Sequence, residues 1–372
     1  MPIFREWADM ARETARSIRK DDVRELFSRE WAGAREILVA EYRDRLRSQP
    51  GKLRRFLLEL NAIVFGLTRR LAPTRRLVLA LALVCVILSG LGACEIGGSR
   101  SRLHVSIDFG GVLAVSVVLL LGLLAMELVD KLAFRDELVL ARELQANLLP
   151  KSLPSVPGFE ISAFNRIANM VGGDLYDFVT LPDGRLSLLF GDASGHGMAA
   201  GLVMAVAHAG FQTQLEVDPS PSSIFGALNR ILCRTGGPRS FFSCAYILLS
   251  PDGSLSATFA GHPPLLVFGA DGQLRESIGK GAYPLGIKSG LSWQTLPGKI
   301  EPGEILLLYS DGLPEARDGD REFGDETVLR IVRESPGRPA SDITARLAAE
   351  LSSFCGRRSP EDDVSIVAIR RT

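Results

Sequence analysis

Four short acidic motifs mark the C-terminal part of this chain, three of them beside glycine. They are VGGDLYD (171–177), LLFGDASGHG (188–197), LLYSDG (307–312) and PEDDVSI (360–366). Three of the four abut an apolar run with strand character, so their carboxylates would project from the edge of a rigid sheet. Several carboxylates on one spot repel one another and need a cation to be stable there. Oxygen-rich, sulfur-free ligation selects hard ions such as magnesium or manganese, which keep several waters. Two such ions can acidify a shared water and clamp both ends of an in-line displacement at phosphorus. Taken singly, an Asp-Gly at a strand end is ordinarily a turn. The 191–197 loop also has the look of a phosphate cradle, but it lacks the lysine and the spacing of a P-loop. Only the combination of the four is specific.

Such a set needs strands to hold it. From about residue 157 the sequence breaks into short β-rich runs separated by Asp-Gly turns, the strongest short hairpin signal. Residues 185–190 follow Pro182-Asp183-Gly184, and 243–249 precede Pro251-Asp252-Gly253 and the run 254–260. Residues 265–268 precede Asp271-Gly272, and further strands are expected at 304–309 and 364–369. Helical patterns fit 198–215, 222–233, 325–333 and 341–354. Antiparallel hairpins with helices grouped between them predict an α+β sandwich and not a doubly wound parallel sheet.

GGDLYD (172–177), GDASGHG (191–197), AGHPP (260–264), YSDG (309–312) and DDVSIV (362–367) occur in this order. Together they resemble the protein phosphatase 2C superfamily, in its bacterial branch typified by the stage II sporulation phosphatase E and the stress-response sigma-factor regulators. The likeness covers about residues 140–370, including the helical ELQANLLP (143–150) ahead of the domain. It implies a β-sandwich flanked by helices and two Mn2+ or Mg2+ ions. Asp192 would bridge them, joined by the Ala193 carbonyl. Asp174 would serve one ion; Asp311 and the pair Asp362-Asp363 would serve the other, with Asp362 favoured and Asp363 left open. The attacking group would be a metal-activated water, so Ser194 is not a nucleophile.

His196 is a candidate general acid, since unperturbed histidine titrates near about 6.5; a role in holding the glycine-rich turn is the alternative. His262, Asp177, Glu315 and Tyr176 are weaker candidates for supporting or substrate roles. Two departures from the pattern are the proline-free stretch 165–170 and Ala193 where many relatives have valine, and neither removes a ligand. The implied activity is hydrolysis of phosphoserine or phosphothreonine on a regulatory protein such as an anti-sigma-factor antagonist. A non-catalytic membrane signalling scaffold and a small-phosphoester hydrolase are the rival readings.

The N-terminal third has a different composition. Net charge is zero over the 372 residues, yet residues 1–76 hold 18 Lys/Arg against 11 Asp/Glu, or +7. Residues 77–150 hold 5 against 7, or −2, which leaves −5 for the remainder. A basic segment beside apolar runs points to a membrane surface and away from nucleic acid. The mean hydropathy of +0.16 is high for a soluble protein. Two uncharged stretches, 77–94 and 109–126, explain it. Eighteen helical residues extend about 27 Å, near the hydrocarbon thickness of about 30 Å.

The expected organisation is a cytoplasmic helical region (1–76), a first span (77–94), a short external loop (95–108) and a second span (109–128). A linker helix (129–150) and the phosphatase domain (151–372) follow. Arg69, Arg70, Arg75 and Arg76 crowd the entry, whereas the loop holds only Arg100 and Arg102, so both termini are expected in the cytoplasm of a bacterial inner membrane. Leu140, Leu144 and Leu148 recur at i+4, a face on which two copies could pair. The five cysteines (85, 94, 233, 244, 355) show no metal-binding or redox spacing.

Overall fold

The computed structural model describes residues 68, 71–90, 109–237, 240–279, 281–356 and 360–372. The expectations for 1–67, for the loop 95–108 and for the last four residues of the first span lie outside the described residues. The chain divides into two compact units, Met1–Lys131 and Leu132–Thr372.

In the first unit, helix α1 (Pro73–Gly90) accompanies the N-terminal part of α2 (Phe109–Ala146). The Arg75 guanidinium pairs with Glu127 and Asp130, both at 2.7 Å. The Ser116 hydroxyl donates to the Ala82 carbonyl at 2.9 Å, and both residues are fully buried. Residue 75 thus meets 127 and 130 while 82 meets 116, so the two helices run antiparallel. Their other faces leave Leu77, Ile87, Val118, Leu121 and Leu124 exposed. Among the described residues one helix, Gly110–Ala146, is long and apolar enough to cross a membrane, its most apolar 18-residue stretch having a mean hydropathy of 2.7. α1 carries Arg75 and Arg76 in its first turn. The second span and the linker, expected as two pieces, form one continuous helix of 38 residues.

The second unit is a four-layer sandwich. Strands β1 (Phe159–Arg166), β2 (Asp174–Thr180) and β3 (Leu186–Ala193) come first, then helices α3 (Met198–Val217) and α4 (Pro221–Thr235). β4 (Phe242–Leu249), β5 (Ser254–Ala260), β6 (Leu265–Phe268), β7 (Leu274–Ile278), β8 (Thr295–Lys299) and β9 (Ile305–Tyr309) follow. A small hairpin of β10 (Arg317–Asp318) and β11 (Arg321–Glu322) leads to α5 (Asp325–Arg333), α6 (Ala340–Cys355) and β12 (Val364–Arg371). One five-stranded sheet has the order β1-β12-β9-β6-β7 and the other β2-β3-β4-β5-β8, with antiparallel pairing throughout.

Alternation along the strands decides which layer each residue joins. Tyr176, Phe178, Leu188, Phe190, Ile247, Leu306, Leu308 and Val367 fill the space between the sheets. Leu175, Leu189 and Tyr246 face α3 and α4, meeting Ala200, Met204, Ala207 and Phe211 at helical spacing. Leu307, Ile366 and Ala368 face α5 and α6, against Ile331, Ile343 and Leu347. Both faces of β9 are covered, which is why its sequence ILLLY is uninterrupted in apolar character. The Asp-Gly turns close with Gly184, Gly253 and Gly272 at φ of 79–86°, a region L side chains rarely adopt. The edge strands β7 (LRESI) and β8 (TLPGK), absent from the sequence-based expectation, are polar or carry Pro and Gly. Only an edge tolerates a proline.

Candidate active site

Antiparallel pairing brings the motifs together at one end of the sandwich. The start of β2 lies opposite the end of β3, so Asp174 and Asp192 are direct cross-strand partners. In the other sheet the end of β9 lies opposite the start of β12, and the Ser310 amide donates to the Ser365 carbonyl at 3.0 Å. Ser310 then joins the two sheets: its hydroxyl donates to Asp174 Oδ2 at 2.8 Å and accepts from the Ser365 amide at 2.9 Å. The sequence reading assigned Ser310 no role; its signal was a small polar residue ending an apolar strand next to Asp311.

The carboxylates differ in depth. Asp174 is 3% exposed, Asp192 half-buried, and Asp311 and Asp362 exposed. Asp174, Asp192 and Asp311 feel neighbouring negative charge. Burial raises Asp174 to about 7, against hydrogen bonds from Ser365 and Ser310 that pull it back; the charges of Asp363 and Asp311 add to the rise. Asp192 is pushed up to about 9 by burial and then by Asp174, Asp311, Asp362 and Asp363. Asp311 is raised by burial and by Asp362, and Glu315, exposed one turn on, by burial and by Asp311. A site this hostile to its own ionisation is relieved by positive charge. Asp174 Oδ1 is buried without a hydrogen-bond partner, an orphaned anionic oxygen that a cation would satisfy. Among the described residues no three acidic, histidine or cysteine side chains close on one point. Hard ions gripped largely through water suit that spacing.

Asp362 and Asp363 are adjacent and differently employed. Asp363 is buried, and its two oxygens accept the amides of Ala168 at 2.8 Å and Gly173 at 2.6 Å. Asp362 is exposed and, among the described residues, accepts the Asp363 amide at 2.8 Å. A Cβ on Gly172 would stand 2.3 Å from Asp363 Oδ2, and one on Gly173 would stand 2.8 Å from Asp192 Oδ1 and from the Ala193 carbonyl. The glycine pair is thus what lets the backbone thread between the acids.

The remaining residues singled out in the sequence spread over several surroundings. His196 is exposed on the turn between Gly195 and Gly197, just ahead of α3. Ser194 accepts the Phe241 amide through its hydroxyl at 2.8 Å. His262 is buried edge-on against Phe190; its Nδ1–H donates to the Pro263 carbonyl at 2.9 Å, and burial lowers it to about 4. It is therefore neutral at physiological pH. Tyr176 stacks on Phe190 within the core. Asp177 points to the opposite face of β2, where it holds α3 by accepting from His208 Nε2 at 2.9 Å and from the Gln212 amide, besides the Phe178 amide. Its oxygens are thereby committed away from the acidic cluster.

Residues 182–372 match the family described as Stage II sporulation protein E (SpoIIE). The chain belongs to that family. Among curated relatives, Protein IcfG of Synechocystis is 25% identical over 67% of this chain and 43% of its own length. Phosphoserine phosphatase RsbU of Bacillus subtilis is 21% identical over 64% of this chain and 70% of its own. Phosphoserine phosphatase RsbP of the same organism is 24% identical over 64% and 59%. The chain thus spans less than two thirds of the length of IcfG and RsbP. Among solved structures, the SiaA-PP2C domain of Pseudomonas aeruginosa superposes with a TM-score of 0.58 at 20% identity, covering 65% of this chain and 98% of that domain. The phosphatase domain and regulatory fragment of SpoIIE from Bacillus subtilis gives 0.52 at 18%, over 58% and 64%. These likenesses show the fold, as the α+β sandwich expectation required.

Proposed function

We propose that this member of the SpoIIE family is a membrane-tethered, metal-dependent protein serine/threonine phosphatase. The observation that carries the reading is the convergence of Asp174, Asp192, Asp311 and Asp362 from four separate segments, with Asp174 Oδ1 orphaned at the floor. Asp192, at the centre of the mutual repulsion, would be shared by two divalent ions, together with the Ala193 carbonyl. Asp174 would complete the deep side, and Asp311 with Asp362 the exposed side. Asp363 spends both oxygens on backbone amides and is assigned to holding the loop. Bound Mn2+ or Mg2+ would neutralise the cluster and supply an acidified water and a clamp for the phosphoryl oxygens.

The chain's own groups do the rest. Ser310 fixes Asp174 so that its free oxygen faces the cluster. His196, exposed on the turn that follows Asp192, would serve as proton donor to the leaving serine oxygen, whereas His262 is buried and neutral and would serve a structural role. The names of the phosphoserine phosphatases RsbU and RsbP support a phosphoserine substrate; the motif resemblance to the sigma-factor regulators is what suggests a regulatory protein, such as an anti-sigma-factor antagonist, as its carrier. The antiparallel α1–α2 pair with its apolar outer faces favours a hairpin of spans 77–94 and 109–128, and Arg69, Arg70, Arg75 and Arg76 at its entry would keep both termini cytoplasmic. The continuous α2 would link that tether to the phosphatase domain.

The test is hydrolysis of a phosphoserine protein and of p-nitrophenyl phosphate by the full chain in detergent with Mn2+. Asp192→Asn and Asp311→Asn should each lower kcat/KM on the order of 10²–10³-fold, the scale of removing one preorganised electrostatic group. Absent turnover in the wild type, or variants at wild-type rate, refutes the reading.

A further inference from the structure

Gln145 lies in the last turn of α2, a helix whose neighbouring side chains are mostly exposed, yet it is only 4% exposed itself. A buried amide must find partners for its N–H groups and its oxygen. Gln145 finds both on one glycine. Its Nε2 donates to the Gly172 carbonyl at 2.7 Å and its Oε1 accepts the Gly172 amide at 2.9 Å; Met204 Sδ takes a further contact at 3.2 Å. Reversing the amide would set donor against donor and acceptor against acceptor, so the orientation is unique.

The carbonyl that Gln145 holds belongs to the Gly172–Gly173 peptide. The N–H of that same peptide donates to Asp363 Oδ2, and the Gly173 carbonyl accepts the Ala193 amide at 3.1 Å. The peptide plane is therefore gripped at both ends immediately before Asp174. Neither glycine has a side chain to fix its backbone torsions, so these hydrogen bonds must do so.

We infer that Gln145 is a positioning residue for the acidic cluster: by clamping the Gly172 backbone it sets where Asp174 and Asp363 stand, and so how tightly the site binds a divalent ion. This rests on the metal-dependent reading above.

The test uses the full chain in detergent and measures Mn2+ binding directly, from the loss of the free aqueous Mn2+ resonance, alongside Mn2+-dependent turnover. Gln145→Leu removes both bonds at similar volume. Gln145→Asn keeps the amide but is one methylene too short to span the glycine. Both should weaken Mn2+ binding on the order of 10–100-fold, the range for residues that orient metal ligands. Turnover at saturating Mn2+ should largely recover. Met204→Leu, which removes only the sulfur contact, should bind Mn2+ as wild type does. Leu149→Ala, which loosens core packing at the same junction without touching Gly172, should lower the melting temperature and leave Mn2+ affinity within about threefold. Wild-type affinity in both Gln145 variants overturns the inference and leaves the phosphatase reading standing. An equal loss in Leu149→Ala overturns it too, since helix docking alone would explain the effect. A wild-type chain that binds no Mn2+ overturns both.

Discussion

Two neighbouring aspartates illustrate how burial assigns work to chemically identical groups. Asp363 satisfies the amides of Ala168 and Gly173, so Asp363→Ala leaves one half-buried and one buried donor bare. It should cost about 1–3 kcal/mol per donor and be visible as a lowered melting temperature with or without metal. Asp362→Asn should leave that temperature nearly unchanged and instead weaken Mn2+ binding. Equal thermal losses in the two variants would contradict the division. The raised carboxyls of Asp174 (about 7) and Asp192 (about 9) also set a pH dependence. Between an unfolded value near about 4 and these folded values, the metal-free native state holds protons that the unfolded chain has released. Unfolding then liberates protons, so stability falls as pH rises through that window and levels off above it. Thermal melts in EDTA from pH 5 to 9 should therefore decline steadily, and saturating Mn2+ should flatten the decline. A metal-free protein that gains stability toward pH 9 would be incompatible with a repulsive cluster.

Helix α3 begins directly after the glycine-rich turn that follows Asp192, so whatever seats α3 also steadies that turn. Its seat is polar as well as apolar: Asp177 on β2 takes His208 and Gln212 from successive turns of the helix. Asp177→Ala should destabilise the domain by about 1–3 kcal/mol, since it strips acceptors from buried donors. The helix should exchange amide hydrogen faster than β3, measurably by mass spectrometry. Protection of α3 equal to wild type would show that the packing of Met204, Ala207 and Phe211 alone holds it.

The chain joins an apolar helical unit to a sandwich with the acidic cluster at one end, and the two respond to different substitutions. Leu121 and Leu124 are exposed on α2. Paired replacement by arginine places two charges near the middle of the apolar stretch, at about 2.5–3.5 kcal/mol each on insertion scales. Leu121→Arg with Leu124→Arg should shift the protein out of the alkali-resistant membrane fraction while purified protein retains Mn2+-dependent turnover in detergent. Persistence in that fraction would remove the membrane assignment of α2 and leave the phosphatase assignment untouched.

Much of this was legible in the residues alone. An Asp-Gly pair between two β-rich runs favours the left-handed torsion of a tight turn, so the hairpins around Gly184, Gly253 and Gly272 were legible in the sequence. The helices α3 to α6 followed from their 3.6-residue apolar spacing. The acidic motifs were visible because three of the four adjoin an apolar run with strand character. Hidden were the edge strands β7 and β8, whose pairing depends on a neighbour and not on their own composition. Hidden too was the face each acid occupies: Asp174 and Asp177 sit three residues apart, and strand alternation sends one to the cluster and the other to α3. The different surroundings of Asp362 and Asp363 were hidden as well: Asp363 accepts the amides of Ala168 and Gly173, nearly two hundred residues away. Gln145 shows the same limit. Local chemistry selects turns, helices and charged groups, but which buried polar atom meets which is a matter of long-range packing, and only the tertiary structure decides it.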